Sequence, residues 1–314
     1  MLVSDAIQGF ILDAQATYSA ATLPMIKTYL KQLGRYFDQN QIHDITSDQL
    51  KRYFVYLTTE YVPVRMSGEP GPLSGSALDN HWKVMRSFFK WAAAILGTGR
   101  PDLVVQRPRY KLPAIVPFTA EEVSKLLQAA RYSNLIQKEG KKPYRLKLPR
   151  ADRDIAIILV LLDTGLRIGE FCRLRLGDVN LEVGEVYVRP FATSKKSRPR
   201  TVYVGVNTRR ATWKYIASKQ ANAKQDDRLF NLSPSTVQHM LIHLGKKAGV
   251  RNVHPHRFRH TFAITYLRNG GDIFTLQRIL GHSSLDMVQH YLALSQADDE
   301  AAHKKASPVD NWRL

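Results

Sequence analysis

Between Gly97 and Pro117 the chain holds two glycines and four prolines, Pro101, Pro108, Pro113 and Pro117. Proline has no backbone donor and clashes with the turn before it, so helices stop at such a stretch. The 314 residues are thereby divided into two bodies, each large enough to bury a core of its own. The expected organisation is an N-terminal domain over residues 1–112, with a linker over about 98–117, and a second domain over 118–314. Arg100, Arg107, Arg109 and Lys111 are interleaved with the linker prolines. They would suit a segment running along a phosphate backbone, and on composition they suit a solvated linker equally well.

The first 97 residues read as all-helical. Ile26, Tyr29, Leu30, Leu33, Tyr36 and Phe37 recur at helical spacing within 22–39. Thr46 and Gln49 form a capping box that opens a helix carrying Leu50, Phe54 and Leu57. Residues 62–76 are rich in Pro, Gly and Ser and read as a loop. A helix follows from about Ala77, with Leu78, Trp82, Met85, Phe88, Phe89, Ala92 and Leu96 inward. In the second body Thr119 and Glu122 form another capping box, and 132–153 read as a basic loop. Residues 154–163 are nearly all apolar and predict a helix buried on all sides. Residues 185–190 and 200–204 alternate like strands around the basic turn 191–199. Helices resume at about 208–219, 235–248, 257–269, 273–280 and 284–294. The fold class expected is mainly α with a small antiparallel β-sheet.

Lys and Arg total 46 against 27 Asp and Glu, a formal net charge of +19. Residues 1–112 contribute +4 and residues 113–314 contribute +15. Such an excess resists compaction and calls for an anionic partner, with nucleic acid favoured over a membrane surface. The apolar run Ile155–Leu162 is eight residues long, far short of the ~20 that span a bilayer. The N-terminus carries Asp5 and no basic segment, unlike a signal peptide. A single cysteine, Cys172, can form no internal disulfide and fits a reducing cytoplasm.

Four short segments carry candidate chemistry. Thr164-Gly-Leu-Arg-Ile-Gly-Glu170 follows the apolar helix directly, and Gly165 permits a sharp turn. Arg167 beside a core is costly unless it meets an anion; the plain alternative is an ion pair with Glu170, three residues on. The turn 191–199 carries Lys195 and Lys196. Lysines at a hairpin tip are ordinarily solvated, and otherwise deliver a mobile charge or proton into a site. In His254-Pro-His256-Arg257-Phe258-Arg259-His260, Pro255 suits a helix start, placing His256 and Arg259 on one face of the first turn. With the positive end of the helix this makes an anion site. Metal binding is the competing reading, but no Cys, Asp or Glu lies nearby in sequence to complete a usual ligand set. In Leu280-Gly-His282-Ser-Ser-Leu-Asp-Met-Val-Gln-His-Tyr291, Gly281 reads as a helix C-cap and Ser283 or Ser284 as the next N-cap. Tyr291 then lies two turns into a short helix, where a tyrosine taken alone reads as half-buried core.

In this order and spacing the four segments resemble the tyrosine recombinase family. T-G-L-R-I-G-E, H-R-F-R-H and L-G-H followed nine residues later by Tyr are the specific parts, within a match over about 118–295. The N-terminal helices resemble the family's core-binding domain in pattern only. The resemblance implies a SAM-like core-binding domain and a catalytic domain that cuts and rejoins DNA through a 3′-phosphotyrosyl intermediate. It makes Arg167 and Arg259 the phosphate-clamping arginines, and Tyr291 the nucleophile. His256 becomes the histidine of H-x-x-R, His282 the second histidine, and Glu170 an orienting acid. Counted back from Arg200-Thr-Val-Tyr-Val204, Lys195 falls where the family's general acid lies, with Lys196 adjacent.

The implied partner is duplex DNA with paired inverted repeats. A homotetramer would assemble on it through the tail 292–314, anchored by Leu292, Leu294 and Trp312. Accessory DNA-bending or directionality factors are compatible with this arrangement. No cofactor and no metal are expected: no G-x-x-x-x-G-K-[ST] loop is present. The expected location is cytoplasmic and nucleoid-associated, in a prokaryote or phage. A type IB-like topoisomerase shares the chemistry, and a non-catalytic DNA-binding regulator could share the fold.

Overall fold

The structure is a computed structural model and describes residues 1–20, 22–63, 71–111, 114–139, 142–190, 198–218, 224–281, 291–292, 307 and 309. Two units separate, Met1–Ala114 and Ile115–Leu314. In the first, helices α1 (Val3–Thr17), α2 (Leu23–Tyr36), α3 (Ser47–Thr59) and α4 (Gly75–Leu96) bury one stripe each. Phe10, Leu30, Leu50, Tyr53, Leu57, Phe88 and Phe89 meet in a single core. The Thr46–Gln49 capping box opens α3 as its sequence predicts, and α4 stops at Gly97 in the left-handed conformation, φ +67°.

The structure differs from the expected linker over its first ten residues. Residues 98–107 fasten onto α4 through two carboxylates with almost no exposed surface. Asp102 accepts from Arg100 Nε and Nη2 at 2.8 and 2.7 Å, and Arg86 lies at 3.4 Å. Asp79 accepts from Arg107 Nε and Nη2 at 2.6 and 3.0 Å, with Lys83 at 2.7 Å. Trp82 donates to the Val105 carbonyl at 2.9 Å and lies against both Arg86 and Arg107. Arg100 and Arg107 therefore hold the domain together before they can serve any phosphate.

The second unit is built around α6 (Ala151–Thr164), which packs against α5 (Ala120–Arg131), α8 (Val206–Ala217), α10 (Pro255–Arg268) and β3 (Arg200–Tyr203). This helix begins earlier than its apolar run. It is not buried on every side, since Leu159 and Leu162 keep partial exposure. Strands β1 (Val179–Asn180), β2 (Glu185–Val188) and β3 form an antiparallel sheet in chain order, with Val186 opposite Val202 and Val188 opposite Arg200. Both longer strands end short of their predicted limits, and two-residue β1 carries no alternation from which to foresee it. Isolated bridges pair Tyr132 with Lys147 and Ile136 with Tyr144, where the basic residues suggest only a loop. Short α7 (Ile168–Phe171), then α9 (Pro234–Ala248) and α11 (Ile273–Leu280), complete the elements used below. Of the helix expected at 284–294, only residues 291–292 are described, and they are helical. Among the described residues no helix is long and apolar enough to cross a membrane.

Asp102→Ala should destabilise the chain by about 2 kcal/mol. That is less than the ~3–5 kcal/mol of a fully buried pair, because its arginine partners are 27% and 32% exposed and can rehydrate. The midpoint and slope of urea unfolding of the full chain measure it.

Candidate active site

The site begins with how α6 ends. The Thr164 hydroxyl donates to the Val160 carbonyl at 2.6 Å, and Gly165 takes φ +60°. A Cβ at Gly165 would stand 2.5 Å from Phe262 and 2.9 Å from Leu280, so both conformation and space demand glycine. The reversal delivers Arg167 to the start of α7. Across from it α11 ends at Gly281, φ +63°, which leaves its last carbonyls without helical donors.

Three arginines take those carbonyls. Arg259 donates from Nη2 to Leu280 O at 2.8 Å and from Nη1 to Gly165 O at 2.8 Å. Arg167 donates to the same Leu280 oxygen at 3.3 Å and to Gly281 O at 3.2 Å. Arg200 donates from Nε to Ile279 O at 2.6 Å. The negative end of the α11 dipole thus faces a concentrated positive charge. Glu170 is the carboxylate among them. It accepts from Arg200 at 2.8 and 3.1 Å, and from Arg167 Nη1 only at 3.4 Å. The Arg167–Glu170 ion pair that spacing alone suggests is therefore the weaker one. The acid also caps α7 by accepting from the Arg167 amide at 3.1 Å. Burial raises the Glu170 pKa, but hydrogen bonds and charge from Arg200, with smaller help from Arg167, outweigh it and hold the carboxyl below its usual range. Burial, then repulsion from Arg167, brings Arg259 down to about 10, still protonated at neutral pH. Arg259 is 3% exposed, whereas the Arg167 side chain is 41% exposed.

Helix α10 supplies the rest. His254 caps it, accepting from the Arg257 amide at 3.3 Å. Arg257 is structural, bound to the Val116, Pro117 and Arg251 carbonyls and to Glu122. His256 stands exposed on the first turn; desolvation and the charges of Arg259 and Arg167 lower its pKa. One turn on, His260 Nδ1 lies 2.7 Å from Tyr291 Oη. Tyr291 is 1% exposed and packs with Ala263, Ile264, Leu276 and Leu280. Burial raises its pKa, and Arg259 and Arg167 pull it only part of the way back. Arg167, Glu170, Arg259 and Tyr291 are thus brought together, with His256 alongside. Lys195, Lys196 and His282 lie outside the described residues. Among the described residues no three His, Cys, Asp or Glu side chains cluster as a metal site would require.

Comparison with known proteins places the chain in a family. The sequence profile of the phage integrase family matches residues 117–298. The tyrosine recombinase XerA of Pyrococcus horikoshii is 31% identical over 317 residues, which cover 98% of this chain and 96% of that protein. The chain belongs to the phage integrase family, the tyrosine recombinases. XerA of Pyrococcus furiosus is 31% identical over 215 residues, 64% of this chain and 66% of its own length. The fold is that of the Tn1549 transposon integrase in complex with transposon right end DNA, with a TM-score of 0.70 at 18% identity, covering 98% and 99% of the two chains.

Two residues of this recombinase's site escaped the sequence reading. Arg200 shares a strand face with Val202 and Val204, which point into the core. An arginine in that inward register must meet a buried anion, and this signal was available. His260 follows Arg259 directly and lies one turn from His256, but nothing in the spacing tied it to Tyr291. Gly165→Ala should cost about 3 kcal/mol, from left-handed strain plus overpacking. Gly249→Ala should cost only about 1 kcal/mol, since Gly249 has φ +66° but open space around it. Urea unfolding of the two full-length variants compares them directly.

Proposed function

We propose that this recombinase cuts and rejoins duplex DNA with Tyr291 as its nucleophile. One observation carries the reading: Arg167, from the turn after α6, and Arg259, from α10, share the Leu280 carbonyl oxygen within electrostatic reach of the Tyr291 phenol. A phosphodiester gathers negative charge on its non-bridging oxygens as a fifth ligand approaches. Guanidinium forks are shaped to bind those oxygens, and a cluster anchored in advance needs no reorganisation at the moment of reaction.

Attack forms the Oη–P bond and breaks the P–O5′ bond, giving a 3′-phosphotyrosyl link and a free 5′-hydroxyl. The phenol gives up its proton and the 5′ oxygen gains one. Lys195, or its neighbour Lys196, is the general acid in this scheme, with His256 assisting in that proton transfer and His282 the second histidine of the set. Glu170 sets the balance of charge: paired with Arg200, it leaves Arg167 for the anion. The covalent link conserves the energy of the phosphodiester, so rejoining needs no nucleotide. Tyr291 is buried in this structure, so DNA must draw the hydroxyl into contact with phosphorus.

The substrate class is a paired inverted-repeat site bound by a homotetramer, in a reaction of integration, excision or resolution in the cytoplasm. The first unit would clasp the same duplex as a core-binding domain. An apolar groove of about 680 Å³ lined by Phe118, Val123, Leu159, Leu162, Phe262 and Tyr266 gives the tail of a neighbouring protomer, with Leu292, Leu294 and Trp312, a surface of matching character.

Tyr291→Phe should retain DNA binding and form no covalent adduct on a nicked suicide duplex; an adduct on a denaturing gel from this variant rules Tyr291 out. Arg167→Lys should slow adduct formation by roughly 100-fold or more, because one ammonium cannot replace a fork. A near-normal single-turnover rate would remove Arg167 from the clamp. Recombinant products from a two-site substrate, as against relaxation alone, separate recombination from topoisomerase action.

A further inference from the structure

The segment His256-Arg257-Phe258-Arg259-His260 contains one histidine without a task in the scheme above, and that scheme leaves one proton without a destination. His260 is partly buried on α10, beside the fully buried Arg259. Its Nδ1 is 2.7 Å from Tyr291 Oη, hydrogen-bond distance, and the two ring centres lie 5.6 Å apart at 55°. We propose that His260 accepts the phenolic proton of Tyr291 when a strand is cut and returns it when the strand is rejoined. The inference rests on Tyr291 being the nucleophile.

Three features of the site support it. The first is need. Burial holds the phenol in its neutral form, and the two arginines do not undo that, so attack requires an acceptor. The second is the absence of a better acceptor at the carboxylate. Glu170 is bound in bidentate fashion by Arg200 and held below its usual pKa, which makes it a poor base. The third is charge. His256, whose ring centre is 6.3 Å from that of His260, is biased towards its neutral form. A proton arriving on His260 therefore meets one fewer positive neighbour, and the phosphate drawn into the site offsets it.

The step balances. With the proton of its imidazole on Nε2, His260 takes the phenolic proton on Nδ1 as the Oη–P bond forms. The P–O5′ bond breaks and the leaving oxygen is protonated by the separate general acid. On rejoining, the 5′-hydroxyl attacks phosphorus and gives its proton back to the general acid, the Oη–P bond breaks, and the imidazolium protonates the departing phenolate. His260 is then a catalytic residue in contact with a reacting atom.

The test uses the full chain and a nicked suicide duplex selected by that chain from a random-sequence pool. His260→Asn keeps an acceptor oxygen near the Nδ1 position but cannot carry the proton; His260→Ala removes both functions. Both should bind the duplex within about twofold of wild type and form the covalent adduct about 100-fold more slowly or worse. Placing 3,5-difluorotyrosine at position 291, which loses its proton more readily, should recover most of the rate lost by His260→Asn. Replacing the bridging 5′ oxygen of the duplex with sulfur, which leaves without a proton, should not recover it. Wild-type cleavage by His260→Asn overturns the proposal. So does a defect equally large with tyrosine and difluorotyrosine, which would make His260 a packing residue, or a defect erased by the sulfur substrate, which would place it on the leaving group. Failure of the underlying reading looks different: the wild-type chain itself would yield no adduct at Tyr291.

Discussion

The catalytic unit depends on the end of α11. Arg259, Arg167 and Arg200 are drawn from α10, from the turn after α6 and from β3, and each donates to one of the carbonyls of Ile279, Leu280 and Gly281. A helix C-terminus leaves four such oxygens without partners inside the helix. Three cations in one place would repel one another, but here each meets the negative end of a dipole and an acceptor it would otherwise lack. The left-handed conformation of Gly281 stops the helix at the residue where those oxygens become available. Gly165 answers it from the other side, since its own carbonyl accepts from Arg259 and its missing Cβ leaves room for Leu280.

This anchoring explains the division of labour among the arginines. Arg200 takes the one carboxylate with two hydrogen bonds and neutralises it. Arg259 is buried and held by two backbone oxygens. Arg167 is held less tightly, at 3.2 to 3.4 Å, and is the most exposed of the three. A guanidinium has five N–H groups, so carbonyl contacts along one edge leave Arg167 able to meet an anion. Had Glu170 bound Arg167 in bidentate fashion instead, the exposed cation of the site would have been cancelled by its own chain.

What the sequence disclosed follows from which interactions are local. The capping boxes at Thr46 and Thr119, the turn glycines and the helix start at Pro255 each depend on a few neighbouring residues, and all are seen as expected. The mainly helical fold with a small antiparallel sheet follows from periodicity in the same way. The readings that fell short involve long-range partners. Arg107 looked like a linker cation because its partner Asp79 lies 28 residues away, and Arg100 because the burial of its near neighbour Asp102 depends on packing against α4. Arg200 served only as a counting mark for the hairpin lysine, though its inward register set it apart. The hydrogen bond between His260 and Tyr291 joins residues 31 apart, and no spacing rule links them. Lys195 and His282 rest on resemblance, since neither is among the described residues.

The charge of the chain gives these local arrangements a common direction. Residues 113–314 contribute +15 of the +19, and at the site three guanidinium groups face one carboxylate. Helix carbonyls are dipoles, and they orient the arginines without cancelling their charge. The surplus therefore persists in the folded protein, where it adds to burial, the larger cause, in lowering the proton affinity of Arg259 and His256. Any group that brings negative charge into the cluster relieves that strain. A phosphodiester bound there would do so, and so would the phenolate of Tyr291. In the function proposed above, that repulsion would favour both the phosphodiester and the ionised Tyr291. Burial works against the phenolate, so with Tyr291 as the proposed nucleophile the fate of its proton, and the imidazole placed against it, would govern how readily the site acts.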